Sequence, residues 1–166
     1  MILLRKAKEN DMQIISDLAE RIWPETYSEY IGEEQLRYML DKMYNQGELL
    51  AQLQKGYNFI IAAQEQEDVG FACLSLTDTQ AQTYKLHKIY VLPAMHGKGV
   101  GKILINEVVN LAKRNGGKTL QLNVNRNNKA KDFYLKIGFE IKETIDVNIG
   151  NGFFMNDYVM ELSLGS

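Results

Sequence analysis

Seven residues, His96-Gly97-Lys98-Gly99-Val100-Gly101-Lys102, join a strand-like run, LHKIYVLP, to a helix-like one, ILINEVVNLAKRN. No other segment constrains the chain as tightly. The first amides of a helix lack internal acceptors, and the helix dipole adds partial positive charge there. Glycines let the backbone approach a ligand closely. The segment therefore reads as an anion-binding turn, although an ordinary glycine-containing strand–helix connection has the same outline. Two nucleotide-binding patterns fail on it. A P-loop ending in Gly101-Lys102 needs a glycine where His96 stands and a hydroxyl where Ile103 stands. A dinucleotide fingerprint needs a third glycine where Lys102 or Leu104 stands, and an acid after the next strand, which closes LNVN.

The flanking sequence reads as alternating structure. Met1 to Ala7 fits a strand, and Asn10 or Asp11 can cap a helix to about Ile22 that Pro24 ends or bends. Helices also fit Glu33–Asn45, GELLAQLQKG, Val100–Asn115 and Lys129–Ile137. Strands fit YNFIIAAQ and VGFACLSLT, joined by a polar turn at EQED. TYKLHKIYVLP, KTLQLNVN, FEIKETIDVNI and GFFMNDYVMELSL complete the set. There is no repeat, linker or low-complexity tract, so one α/β domain with a largely antiparallel sheet accounts for residues 1–166.

Composition narrows the function. Nineteen basic and 21 acidic residues give a net charge of −2, which argues against nucleic acid as a partner. The lone cysteine, Cys73, excludes a disulfide framework and a Cys-rich metal site, and no metal is expected. It lies in an apolar strand, GFACLSL, and reads as core rather than as a nucleophile. The N-terminus lacks the pattern of a secretory signal, and no apolar run of about 18 residues spans a membrane. Cytoplasm is the expected compartment.

The turn resembles a family motif. His96-x-x-Gly99-x-Gly101, after a strand ending in YV, is similar to the [Arg/Gln]-x-x-Gly-x-[Gly/Ala] pattern of the GNAT acetyltransferase superfamily, with His at the first position. LNV at 122–124, Asn128-x-Ala130-x-x-Phe133-Tyr134-x-x-x-Gly138-Phe139 and DYVMEL at 157–162 follow in family order. The resemblance implies an α+β fold, with a mixed, largely antiparallel sheet of about seven strands flanked by about four helices. It also implies a splay between the fourth and fifth strands, and acetyl-CoA as co-substrate.

By that resemblance the amides of His96, Gly97, Lys98, Gly99, Val100, Gly101 and Lys102 face the diphosphate of coenzyme A. Lys98 and Lys102 can add side-chain charge, or can equally be solvated surface lysines. Val91 and Asn123-Val124 match the backbone that pairs with the pantetheine arm. Asn128 matches an asparagine that bonds the same arm, and it can also cap the following helix. Tyr134 matches a tyrosine near the thioester sulfur, where a phenol can protonate the leaving thiolate; it can also be a core aromatic. His87 occupies the position of a glutamate in many relatives and is a candidate base beside Glu25, Glu29 and Asp157.

These matches imply an N-acetyltransferase that passes the acetyl group directly to a primary amine. The early segment, with TYSEYI followed by LRYML, is similar to bacterial spermidine/spermine N-acetyltransferases, so a small amine such as a polyamine leads. A protein or peptide N-terminus is the alternative acceptor. A non-catalytic acyl-CoA-binding module is the alternative from another class. Trp23, Tyr27, Tyr30, Tyr38 and Tyr44, interleaved with acids, can hold a cation or can line amphipathic helices. Dimers are common in the superfamily, and GFFMNDYVMELSL can supply an interface or a core strand.

Overall fold

The periodicities settle, in a computed structural model that describes residues 1–165, into seven strands and five α-helices. In chain order these are β1 (Ile2–Lys6), α1 (Met12–Tyr27), α2 (Glu33–Met43), α3 (Gln46–Gln54), β2 (Asn58–Gln64), β3 (Glu67–Asp78) and β4 (Thr83–Val91). They continue as α4 (Val100–Arg114), β5 (Thr119–Asn125), α5 (Ala130–Ile137), β6 (Glu140–Gly150) and β7 (Phe153–Ser163). The strand order is β1-β2-β3-β4-β5-β7-β6; β1–β2, β2–β3, β5–β7 and β6–β7 pair antiparallel and β4–β5 pairs in parallel. This is the mixed, largely antiparallel sheet expected from sequence, with five helices where about four were expected. No helix among the described residues is long and apolar enough to cross a membrane.

The chain divides into two units. The first holds Met1–Ser75 and Lys88–Val108. In it β1 pairs with β2 from Ile2↔Gln64 to Lys6↔Ile60, and β2 pairs with β3 from Asn58↔Leu74 to Gln64↔Glu67. The β2–β3 hairpin turns on Glu65 and Gln66, both at positive φ (50° and 72°). Two left-handed residues match the right-handed twist of the flanking strands, so the polar EQED stretch is a two-residue turn and β3 begins at Glu67. Helix α1 buries Ile15, Leu18, Ala19, Ile22 and Trp23 at helical spacing, and α2 buries Leu36, Met39 and Leu40.

Pro24 neither ends nor starts a helix; α1 runs through it to Tyr27. Proline removes one backbone donor, and in the last turn that costs only the bond to the Glu20 carbonyl. At the helix end the Ser28 amide donates to the Pro24 carbonyl at 3.2 Å. Gly70 in β3 permits a close backbone approach, because a Cβ there would lie 2.8 Å from the Tyr90 carbonyl oxygen.

The second unit holds Leu76–His87 and the chain from Val109 onward. Strands β4 and β5 pair in parallel from Thr83↔Thr119 to Leu86↔Leu122, and among the described residues no register pair joins them beyond that point. Each strand runs on, β4 to Val91 and β5 to Asn125. Strand β7 pairs with β5 from Asn125↔Asp157 to Thr119↔Ser163 and with β6 on its other edge. Alternation puts Leu120, Leu122 and Val124 into the core, and each such side chain contributes about 1.5–3 kcal/mol through burial.

Candidate active site

The glycine turn is built by backbone geometry. Strand β4 ends at Val91, a short 3-10 turn covers Pro93–Met95, and Gly97 and Gly99 then take φ of +82° and +81°. A side chain rarely adopts that conformation, and a Cβ at either position would meet nothing within 4 Å, so backbone conformation rather than crowding selects glycine. Helix α4 starts at Val100, and its first bond outside the turn runs from the Ile103 amide to the Gly99 carbonyl at 3.1 Å. The amides of Val100, Gly101 and Lys102 therefore precede the ladder, where a helix offers unpaired donors and partial positive charge. His96, Gly97, Lys98, Gly99 and Lys102 are exposed, and among the described residues neither Lys98 nor Lys102 has an ion-pair partner.

His96 folds back on the strand it follows. Its Nε2 lies 3.2 Å from the Val91 carbonyl oxygen. A carbonyl only accepts, so Nε2 is the donor in this contact.

The early aromatics form a core cluster. Trp23 is 1% exposed, with Tyr27, Tyr44 and Tyr90 ring centroids at 4.7, 5.4 and 5.7 Å. The Tyr27 and Tyr90 hydroxyls are 2.8 Å apart. The cation beside this cluster belongs to the chain: Lys88 on β4 is 5% exposed, with its Nζ 5.5 Å from the Tyr44 ring and 5.9 Å from the Phe59 ring. Burial lowers the Lys88 pKa, opposed in part by the Glu48 carboxylate. The same burial pushes the Cys73 thiol up to about 12, leaving it protonated and unreactive. Lys88 escaped the sequence reading, and its only trace there is parity: Tyr84, Leu86 and Lys88 alternate as buried positions of β4. Glu25 and Glu29 are exposed on and just after α1.

The remaining candidates belong to the second unit. His87 is half-buried on β4, on the strand face opposite Leu86 and Lys88. Asn123 is half-buried on β5. The Asn128 side-chain oxygen accepts from the Ala130 amide at 2.9 Å, so it turns the chain into α5 and keeps its amide nitrogen for another acceptor. Tyr134 is buried on α5 against Phe133 and Phe139, at centroid distances of 5.4 and 5.6 Å. Asp157 is 6% exposed in β7; burial raises its carboxyl above the usual range, against the opposing charges of Lys85 and Arg126.

Comparison with known proteins agrees with this architecture. The model of the acetyltransferase (GNAT) family matches residues 12–139. The chain is 26% identical over 149 residues to a spermidine N(1)-acetyltransferase of Thermoplasma acidophilum, covering 86% of this chain and 91% of that one. It is 38% identical over 72 residues to a [ribosomal protein bS18]-alanine N-acetyltransferase of Haemophilus influenzae, covering 43% of this chain and 47% of that one. Its fold superposes on the crystal structure of PaiA N-acetyltransferase from Thermoplasma acidophilum in complex with coenzyme A, with a TM-score of 0.83 and 25% identity. That match covers 98% of this chain and 99% of the other.

Proposed function

This chain belongs to the acetyltransferase (GNAT) family, and we propose that it moves an acetyl group from acetyl-CoA directly onto a primary amine of a small molecule, with a polyamine as the leading acceptor. The observation that carries this reading is the turn before α4, where two glycines at positive φ precede the helix amides that open outside the ladder. In this reading the amides of Gly97, Gly99, Val100, Gly101 and Lys102 take the diphosphate, with Lys98 and Lys102 adding charge. Contrary to the sequence expectation, the His96 and Lys98 amides are spent inside the turn on the Pro93 and Met95 carbonyls at 3.1 and 3.3 Å. Val91 and Asn123 offer backbone groups to the pantetheine arm. Asn128 donates to that arm from its free amide nitrogen.

His87 takes the proton that an alkylammonium must lose before its nitrogen can attack. The new C–N bond forms as the C–S bond breaks. The Tyr134 phenol hydrogen-bonds or protonates the departing sulfur, a thermodynamically open step since free phenols have a pKa of about 10 and free thiols about 8.5. Cys73 takes no part, since its buried thiol stays protonated. The Thermoplasma relative supports a polyamine acceptor. The Haemophilus relative supports the second reading, an N-terminal alanine of a protein.

Thiol release from acetyl-CoA tests both readings with spermidine, spermine, n-butylamine and an alanine-terminated peptide. The polyamines should give the highest kcat/KM. Release with none of the four overturns the proposal, and release with the peptide alone moves it to the second reading.

A further inference from the structure

Asp157 is a carboxylate that the chain encloses without satisfying. It is 6% exposed, its Oδ1 is fully buried, and among the described residues no donor reaches it. A buried charge without a partner opposes folding, so its presence calls for an explanation. Its surroundings supply one. Register pairs Asn125↔Asp157, Asn123↔Val159 and Gln121↔Glu161 place these side chains on one face of β5 and β7. Lys85 joins that face through Lys85↔Gln121. The other face carries Leu120, Leu122, Val124 and Met160, all buried.

Several other polar groups of the strip are engaged. Gln121 donates to Glu161 at 3.1 Å, and the Asn125 side-chain oxygen accepts from the Asn127 amide at 2.9 Å. Arg126 uses Nη2 on the Ile145 carbonyl at 2.8 Å and on Asp146, while its Nε is buried without a partner among the described residues. Lys85 makes no ion pair among the described residues, yet its charge acts on Asp157.

We infer that Asp157 receives the ammonium group of the acceptor, on the polar face it shares with Asn123 and Asn125. A primary ammonium has three donors and no acceptor, and an ionised carboxylate only accepts. This rests on the amine acetylation proposed above and narrows it to acceptors that arrive as cations. Lys85 is then a built-in competitor whose charge draws on the same carboxylate. The two residues must act on acceptor binding with opposite signs.

Spermidine is titrated calorimetrically into the CoA-loaded full chain, and its KM is measured alongside. Asp157→Asn should weaken spermidine binding about tenfold or more and raise its KM equally, with the acetyl-CoA KM within about twofold. Lys85→Gln should tighten spermidine about threefold. The thermal midpoint of Asp157→Asn should hold or rise, because an unpaired buried charge is gone. Unchanged spermidine binding in Asp157→Asn overturns the inference. So do shifts of the same sign in both variants, which a purely structural Asp157 would give, and absence of spermidine binding to the wild type. Lack of thiol release with every amine would defeat the proposed function instead, and the calorimetry still reads Asp157 directly. If Asp157→Asn does not fold, Lys85→Gln decides alone.

Discussion

Lys88 Nζ donates to the side-chain oxygen of Gln52 across 2.9 Å, the one hydrogen bond among the described residues for an ammonium that is almost fully buried. Burial favours the neutral amine, so the folded-state pKa lies below 10.5 while the unfolded chain keeps the ordinary value. Between the two values the unfolded state binds more protons, and stability rises with pH. Lys88→Met should therefore stabilise the protein by about 1–2 kcal/mol near neutral pH. The gain should fade as the pH climbs toward the ordinary lysine value. Thermal melts of both proteins at a series of pH values read this directly, and a gain independent of pH would refute it.

Tyr134→Phe keeps the ring between Phe133 and Phe139 and removes only the hydroxyl. If that hydroxyl serves the leaving sulfur, kcat should fall about a hundredfold. CoA affinity should change little. A variant with unaltered turnover would leave Tyr134 as a core aromatic.

His96→Arg exchanges an imidazole held on the Val91 carbonyl for a permanently charged guanidinium whose nitrogens all donate. CoA should bind about three- to tenfold tighter, with a steeper salt dependence. Calorimetric titration at two ionic strengths measures both effects. Failure of both proteins to bind CoA would end the phosphate assignment of this turn.

Gly99→Ala introduces a methyl group that has room but forces a side chain onto φ of +81°. The cost should be about 1–2 kcal/mol, with weaker CoA binding as the turn distorts. Asparagine tolerates the left-handed region better than alanine, so Gly99→Asn should lose less on both counts. Equal losses in the two variants would mean that crowding, not backbone conformation, selects the glycine.

Much of this could be read along the chain. The period-two alternation of TYKLHKIYV and TLQLNVN marks β4 and β5, and the glycines and Pro93 mark the turn between β4 and α4. Such signals are local, and burial on one face of an element writes them directly into spacing. Pro24 is expected to end or bend the helix, and it does not end it: local propensity disfavours proline there, while the buried run from Ile15 through Trp23 carries α1 onward to Tyr27. The strand order placing β7 between β5 and β6 depends on long-range pairing that no short window contains. Lys88 goes unread, and Asp157 reads as a candidate base without its burial, for a related reason: a charged letter in a strand looks solvated until the layers covering it are known.

The aromatic cluster of the first unit has an optical consequence. Trp23 is the single tryptophan of the chain, sealed among tyrosines a few ångströms away. Its fluorescence should be blue-shifted in the native protein and fed by energy transfer from those phenols. Red-shifted emission in denaturant would then report the opening of the first unit without any attached label.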